Sequence, residues 1–487
     1  MRIILSRELG AEALGIYQIA LSFFYVLLTV VASGLPTTLS HLSAKYMVSK
    51  DKEAEGSCVS ASIIIGASSG LLMILLLFAL KNVIINATTP STYTILLCLS
   101  PSIIISAIYS SFRGALWGRK KHFHNCISEV GEQFIRLVLF VVLLTTAPSP
   151  IVGAIRAGIC YSLSCLVSLF IAIFFYFKNG GVLRNPKSQL KNVFKTSLPI
   201  TCLHIVSSLL QPLIAIIVPN QLQLAGYTET QAIGLFGIIT GMTMPLLTLP
   251  NTLVGSYATA LIPEITTTLV KKDKNELEKQ IKTAICFTLF ISFCFVPVYI
   301  GAGKEIGSLL FNNTTSGYLL SKASLIMIPM GLSSITQSIL NSVNMEFKSF
   351  KNYIIGSVLL ILSIIVLPRY IGINAFIVGT GLSITISSVL NLRMISKHLG
   401  INGLILKPLS LMSIFVIPSS MLGNFVLGIF KCLVPQFFAV AFSCISSLIC
   451  FMILCLMFNV INVKSLFTSL KQMKEIKIMK KKSHKQA

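Results

Sequence analysis

The sequence predicts an all-α polytopic membrane protein of two like-oriented six-helix repeats followed by two further C-terminal helices. Three observations predict it. The 487 residues are 54% hydrophobic and 11% charged, with a mean hydropathy of +0.85, whereas a soluble domain carries about 25% charged residues. Thirteen apolar segments are each long enough to span the bilayer, whose hydrocarbon core of about 30 Å takes about 20 helical residues. Four short patches recur at a nearly constant shift, which points to a duplicated chain.

In chain order the segments centre on 14–35, 58–80, 93–116, 127–147, 151–177, 197–219, 233–262, 283–302, 319–343, 352–370, 374–392, 407–428 and 434–459. The first ends in Ser33-Gly34-Leu35-Pro36, where Pro36 marks a hinge. The fourth carries Glu129, Glu132 and Arg136 at i, i+3 and i+7, on one helical face, with Glu132 four residues ahead of Arg136 in the favourable order for a pair. The fifth holds Arg156 near its start. His41 and His204 lie on apolar spans and read as packing residues.

The seventh segment is interrupted by Pro245, Pro250 and Pro263 before charge resumes at Lys271. Each proline removes a backbone donor and displaces the carbonyl one turn back, so a uniform rod is not expected. Freed backbone groups at membrane depth are tolerated only against protein or a water-filled cavity. The stretch is therefore either a kinked packing helix or a broken helix that walls a solute pathway. Glu264, beside Pro263, reads as a helix-end charge.

The repeat is carried by Ala13-Leu14-Gly15-Ile16-Tyr17 and Ala232-Ile233-Gly234-Leu235-Phe236, and by Leu35 to Leu39 and Leu249 to Leu253. Lys50-Asp51-Lys52 pairs with Lys272-Asp273-Lys274, and Phe123 to Asn125 with Phe350 to Asn352. The offsets are 219, 214, 222 and 227. The first visible span maps onto the seventh, six spans on, so both copies keep one orientation, with substrate expected between two lobes.

Thirty of the thirty-nine Lys and Arg residues fall in one set of alternate connections and the tail. By the positive-inside rule those connections and the C-terminus are cytoplasmic. Thirteen spans then leave the N-terminus outside with no signal peptide, and one more helix before Met1 would restore the parity. The expected organisation is an N-lobe over 1–177, a cytoplasmic linker 178–196, a C-lobe 197–396, two extra spans over 397–459 and a basic tail 460–487. Val463, Leu466, Leu470 and Met473 give that tail an apolar face suited to the anionic inner leaflet.

The run Arg2-Ile3-Ile4-Leu5-Ser6-Arg7-Glu8-Leu9-Gly10-Ala11-Glu12-Ala13-Leu14-Gly15-Ile16-Tyr17-Gln18, with Ser33 to Pro36, Glu129 to Arg136 and Gly241 to Pro250, resembles the polysaccharide-transporter branch of the multidrug/oligosaccharidyl-lipid/polysaccharide (MOP) exporter superfamily. The resemblance covers nearly the whole chain apart from that family's first helix. It implies a MATE-like two-lobe transporter of the bacterial cytoplasmic membrane, acting as a monomer. That transporter would move a lipid-linked saccharide, a polysaccharide or peptidoglycan precursor, by alternating access. It also implies a link to lipid II flippases, to spore cortex synthesis and to cell-wall or polysaccharide synthases as partners. Arg2 and Arg7 resemble arginines that flippase relatives turn toward the cavity; the other reading is a headgroup anchor.

Intramembrane charges default to function with a named partner. Arg136, held by Glu132, either lines the cavity and meets an anionic headgroup through its planar fork, or forms with Glu132 a pair that offsets its own cost. Arg156 is either a snorkelling flank residue or a further cavity cation. The substrate-binding candidates are therefore Arg2, Arg7, Glu129, Glu132, Arg136 and Arg156, with Pro36, Pro245, Pro250 and Pro263 as hinge positions.

No catalytic residue, metal site or cofactor is expected. The twelve cysteines lack CxxC spacing and read as small hydrophobes. No P-loop or nucleotide fingerprint occurs. The charge of +24 is spread over the connections as a topology signal, which argues against nucleic acid. A membrane-embedded transferase would need a clustered His, Asp or Glu set. A multidrug or cation antiporter of the same superfamily is the alternative; it would hold its substrate with carboxylates, and the sixth to eleventh spans offer only Glu264.

Overall fold

The computed structural model describes residues 1–271, 273–400 and 406–458, and of Leu203, Pro263, Leu406, Lys407 and Pro408 the backbone alone. The tail 460–487, including the helix expected around Val463 to Met473, lies outside the described residues. Every regular element among the described residues is helical. Backbone contacts divide the chain into two compact units, Met1–Gly241 and Met242–Ala487.

The first unit contains α1 (Arg2–Ala32), α2 (Leu35–Val48), α3 (Lys52–Ala79), α4 (Lys81–Ala87), α5 (Pro90–Leu99), α6 (Pro101–Gly118), α7 (His122–Thr145), α8 (Pro150–Lys178), α9 (Leu190–Ser208), α10 (Leu210–Leu224) and α11 (Glu229–Gly237). Helix starts follow local chemistry. Asp51, Thr89 and Ser149 accept a backbone N–H of the first turn, prolines open α5, α6 and α8, and Thr228 with Gln231 forms a capping box. α1 is two helical pieces joined at Gly10, whose φ of 67° and ψ of −173° suit glycine alone.

α9, α10 and α11 all pack on α1, so the first unit extends past the 178–196 linker read from the repeat. A Cβ at Gly15 would overlap the carbonyl oxygen of Ile233, and one at Gly237 that of Ala11. Glycine at these positions lets the two backbones touch, as small residues do between membrane helices. The sequence-matched patches Ala13–Tyr17 and Ala232–Phe236 thus lie side by side within one unit.

A π-helical stretch, Ile238–Thr243, leads into the second unit. That unit contains α12 (Met244–Val270), α13 (Lys274–Phe311), α14 (Thr314–Ala323), α15 (Met327–Ser342), α16 (Glu346–Val366), α17 (Pro368–Ile371), α18 (Asn374–Leu399), α19 (Leu406–Phe430) and α20 (Gln436–Met457). α13 is its axis and packs on α12, α14, α15, α19 and α20. Phe293 and Phe451 stack with ring centroids 6.4 Å apart. Buried Asn352 donates to Asn391 at 2.8 Å and so joins α16 to α18.

Twelve stretches of the described residues are long and apolar enough to cross a membrane. The remaining expected segment, 127–147, falls on α7, whose 24 residues measure about 36 Å at 1.5 Å per residue. α7 has the length of a span, but Glu129, Glu132 and Arg136 keep it from being a purely apolar one.

Candidate functional site

α7 carries three of the sequence candidates and packs against α6 and α8. Arg136 is 8% exposed. Its Nε donates to Ser164 Oγ at 2.8 Å, its Nη2 donates to Glu132 Oε1 and approaches Cys165 Sγ at 3.8 Å, and its guanidinium lies 4.0 Å from the ring centre of Tyr161. Carboxylate, hydroxyl and aromatic face together make a buried cation tolerable.

Two turns before Arg136 on α7, Glu129 pairs with Arg113 of α6 at 3.2 Å. The side chains of this pair are 35% and 45% exposed, against 10% and 15% for Arg136 and Glu132. α7 therefore holds two ion pairs, one shut into the bundle and one half open. Arg113 also stacks on Trp117 with its guanidinium carbon 4.4 Å from the ring centre, and its backbone carbonyl accepts from Asn125 at 3.1 Å.

A cavity of about 320 Å³ opens among α1, α2, α6, α7 and α8 of the first unit. Tyr25, Ser33, Pro36, Tyr109, Arg113, Glu132 and Tyr161 are in its wall. The Ser33–Gly34 interruption between α1 and α2 supplies one side, so Pro36, expected as a hinge, lies in the lining at the head of α2. Arg136 stands behind this wall, with its carboxylate partner Glu132 in front.

The other candidates lie elsewhere. Arg2 and Arg7 are exposed on the piece of α1 ahead of Gly10. Arg156 donates from Nη1 to Leu143 O and to Thr146 Oγ1, both at 3.0 Å, and so caps the C-terminus of α7. Pro245 sits in the first turn of α12, just past the π-helical stretch. The α12 backbone stays helical through Pro250 and Pro263. A smaller hollow of about 230 Å³ in the same unit is lined by Asn86, Thr88, Asn220, Gln223 and Glu229 among others.

Arg113 and Arg119 read in the sequence as connection charges. Arg119 is instead buried: its Nε and Nη2 donate to both carboxylate oxygens of Glu55 at 2.7 and 2.8 Å, and its Nη1 to Asn179 O at 3.0 Å. The available signal for Arg113 was its place inside the apolar run 93–116, four residues before the chain's single tryptophan, Trp117. The partnership of Glu55 with Arg119 left none.

The family model described as "Polysaccharide biosynthesis protein" matches residues 1–269. Stage V sporulation protein B of Bacillus subtilis (strain 168) is 25% identical over 370 residues, which cover 73% of this chain and 71% of that protein. Lipid II flippase MurJ of the same strain is 20% identical over 425 residues, 80% of this chain and 78% of that one. Among solved structures, an inward-facing multidrug resistance MATE family transporter of the MOP superfamily aligns with a TM-score of 0.69 at 14% identity. It covers 82% of this chain and 95% of its own. Lipid II flippase MurJ in an inward closed conformation aligns at 0.68 and 16% identity, over 94% and 95%. These likenesses give the fold, that of the MATE and MurJ transporters.

Proposed function

The chain belongs to the polysaccharide biosynthesis protein family, and from that premise we propose that it is a flippase moving a lipid-linked saccharide across the bacterial cytoplasmic membrane by alternating access. The observation that carries the reading is the match of residues 1–269 to that family. It is supported by a cavity whose wall combines a guanidinium, a carboxylate and the rings of Tyr25, Tyr109 and Tyr161. The saccharide is a polysaccharide or peptidoglycan precursor, and the likeness to a sporulation protein supports a setting in spore cortex synthesis. The two halves, 1–177 and 197–396, act as parallel repeats, and the basic connections and C-terminus face the cytoplasm. The chain works as a monomer that supplies a synthase.

In this reading Arg136 and Glu132 act together. Arg136 supplies positive potential from behind the wall, and Glu132 fixes its fork. Arg2 and Arg7, exposed in this structure, remain substrate contacts in the proposal, whereas Arg156 serves α7. One observation favours a second reading, a cation antiporter: the group of the Glu132–Arg136 pair in the cavity wall is the carboxylate.

Thermal unfolding of the purified full chain in detergent separates the two. Undecaprenyl-pyrophosphoryl saccharide at a hundred times its Kd should stabilise the protein by about 2.7 kcal/mol. A cationic dye at the same concentration should leave the transition unchanged. Stabilisation by the dye alone would replace the flippase reading with the antiporter.

A further inference from the structure

We propose that Arg113, released from Glu129, is the residue that grips the anionic phosphate of the transported headgroup, with Glu129 as its displaceable counterion. The inference rests on the flippase reading for its substrate and on geometry for its residue. Of Arg113, Arg136 and Arg156, the arginines carried by α6, α7 and α8, only Arg113 is in the cavity wall. Arg136 has its Nε and Nη2 engaged by Ser164, Glu132 and Cys165, and its face is covered by Tyr161. Arg113 keeps an open side. Its Nε is buried and has no hydrogen-bond partner, and so does Ser33 Oγ across the same cavity. Buried polar atoms are nearly always satisfied, so two orphans on residues that line one hollow point to a ligand.

The ligand's chemistry follows from the donors. A guanidinium with a free Nε offers a fork that phosphate or diphosphate oxygens accept. Trp117 and Asn125 hold the side chain and backbone of Arg113 independently of Glu129, so exchanging carboxylate for phosphate leaves the arginine in place. The Glu129 pair is also the half-exposed one of the two on α7, and solvent screening leaves such a pair weak. An arriving diphosphate has little to displace.

Binding of inorganic pyrophosphate and of undecaprenyl pyrophosphate to the full-length protein in micelles tests this. Arg113→Ala should weaken both at least about tenfold and Arg113→Lys less, because an ammonium keeps the charge and loses the fork. Glu129→Gln should tighten both several-fold, a gain that misfolding cannot produce. If inorganic pyrophosphate binds as the lipid does, phosphate chemistry alone makes the site; if only the lipid form binds, the headgroup is recognised on its carrier. Absent binding in the parent protein, or affinity kept in Arg113→Ala and unchanged in Glu129→Gln, would overturn the assignment. Pyrophosphate binding through Arg113 without stabilisation by the lipid-linked saccharide would instead sink the flippase reading and leave the site standing.

Discussion

Glu55 and Arg119 stand 64 positions apart and meet through two hydrogen bonds in a site where their side chains are 1% and 4% exposed. The guanidinium also faces Tyr176 with its central carbon 4.7 Å from the ring centre, so α3, α8 and the end of α6 converge on one charge. Removing one partner leaves the other buried and alone. Glu55→Ala should therefore cost about 3–5 kcal/mol, read by equilibrium unfolding in mixed micelles, and Arg119→Ala on that background should cost less than it does alone. Additive losses would show that the two side chains act separately. At this scale the sequence reveals what is close along the chain: Glu132 and Arg136, four residues apart, pair as their spacing predicts. It hides what tertiary packing brings together, which is why Arg113 and Arg119 read as loop charges.

α12 shows the same limit at the scale of an element. Three prolines predict interruption, because each removes an N–H and frees a carbonyl four residues earlier. The helical pitch changes once, in the π-helical stretch Ile238–Thr243 ahead of Pro245, and the backbone stays helical at Pro250. The reason lies on another helix. Leu246 O, the carbonyl orphaned by Pro250, accepts from Tyr299 Oη of α13 at 2.9 Å. A neighbouring helix has supplied the missing donor, as membrane helices permit. Tyr299→Phe should leave that carbonyl unsatisfied and destabilise the second unit by about 1–3 kcal/mol, measured by the midpoint of denaturant unfolding. An unchanged midpoint would mean that water satisfies the group. Helix starts were legible because caps and N-terminal prolines are local, as at Ser149-Pro150; the rescue of Pro250 depends on a residue 49 positions away.

For the whole molecule, hydropathy and charge alternation made the all-helical membrane fold legible, since the bilayer imposes its thickness on every span. Twelve of the thirteen expected segments fall on helices long and apolar enough to cross a membrane, and the thirteenth falls on the charged α7. Unit boundaries were less legible because contacts follow glycine-to-glycine approach, as between α1 and α11, rather than the period of the repeat. The proposed function is carriage of a lipid-linked anion across the bilayer. It is tested most directly by reconstituting the full chain in proteoliposomes with a fluorescent undecaprenyl-pyrophosphoryl saccharide and following its appearance on the opposite leaflet. The account predicts time-dependent translocation that Arg113→Ala and Arg136→Ala each slow by about tenfold or more. A precursor that stays in its own leaflet while a cationic dye is exported would contradict it.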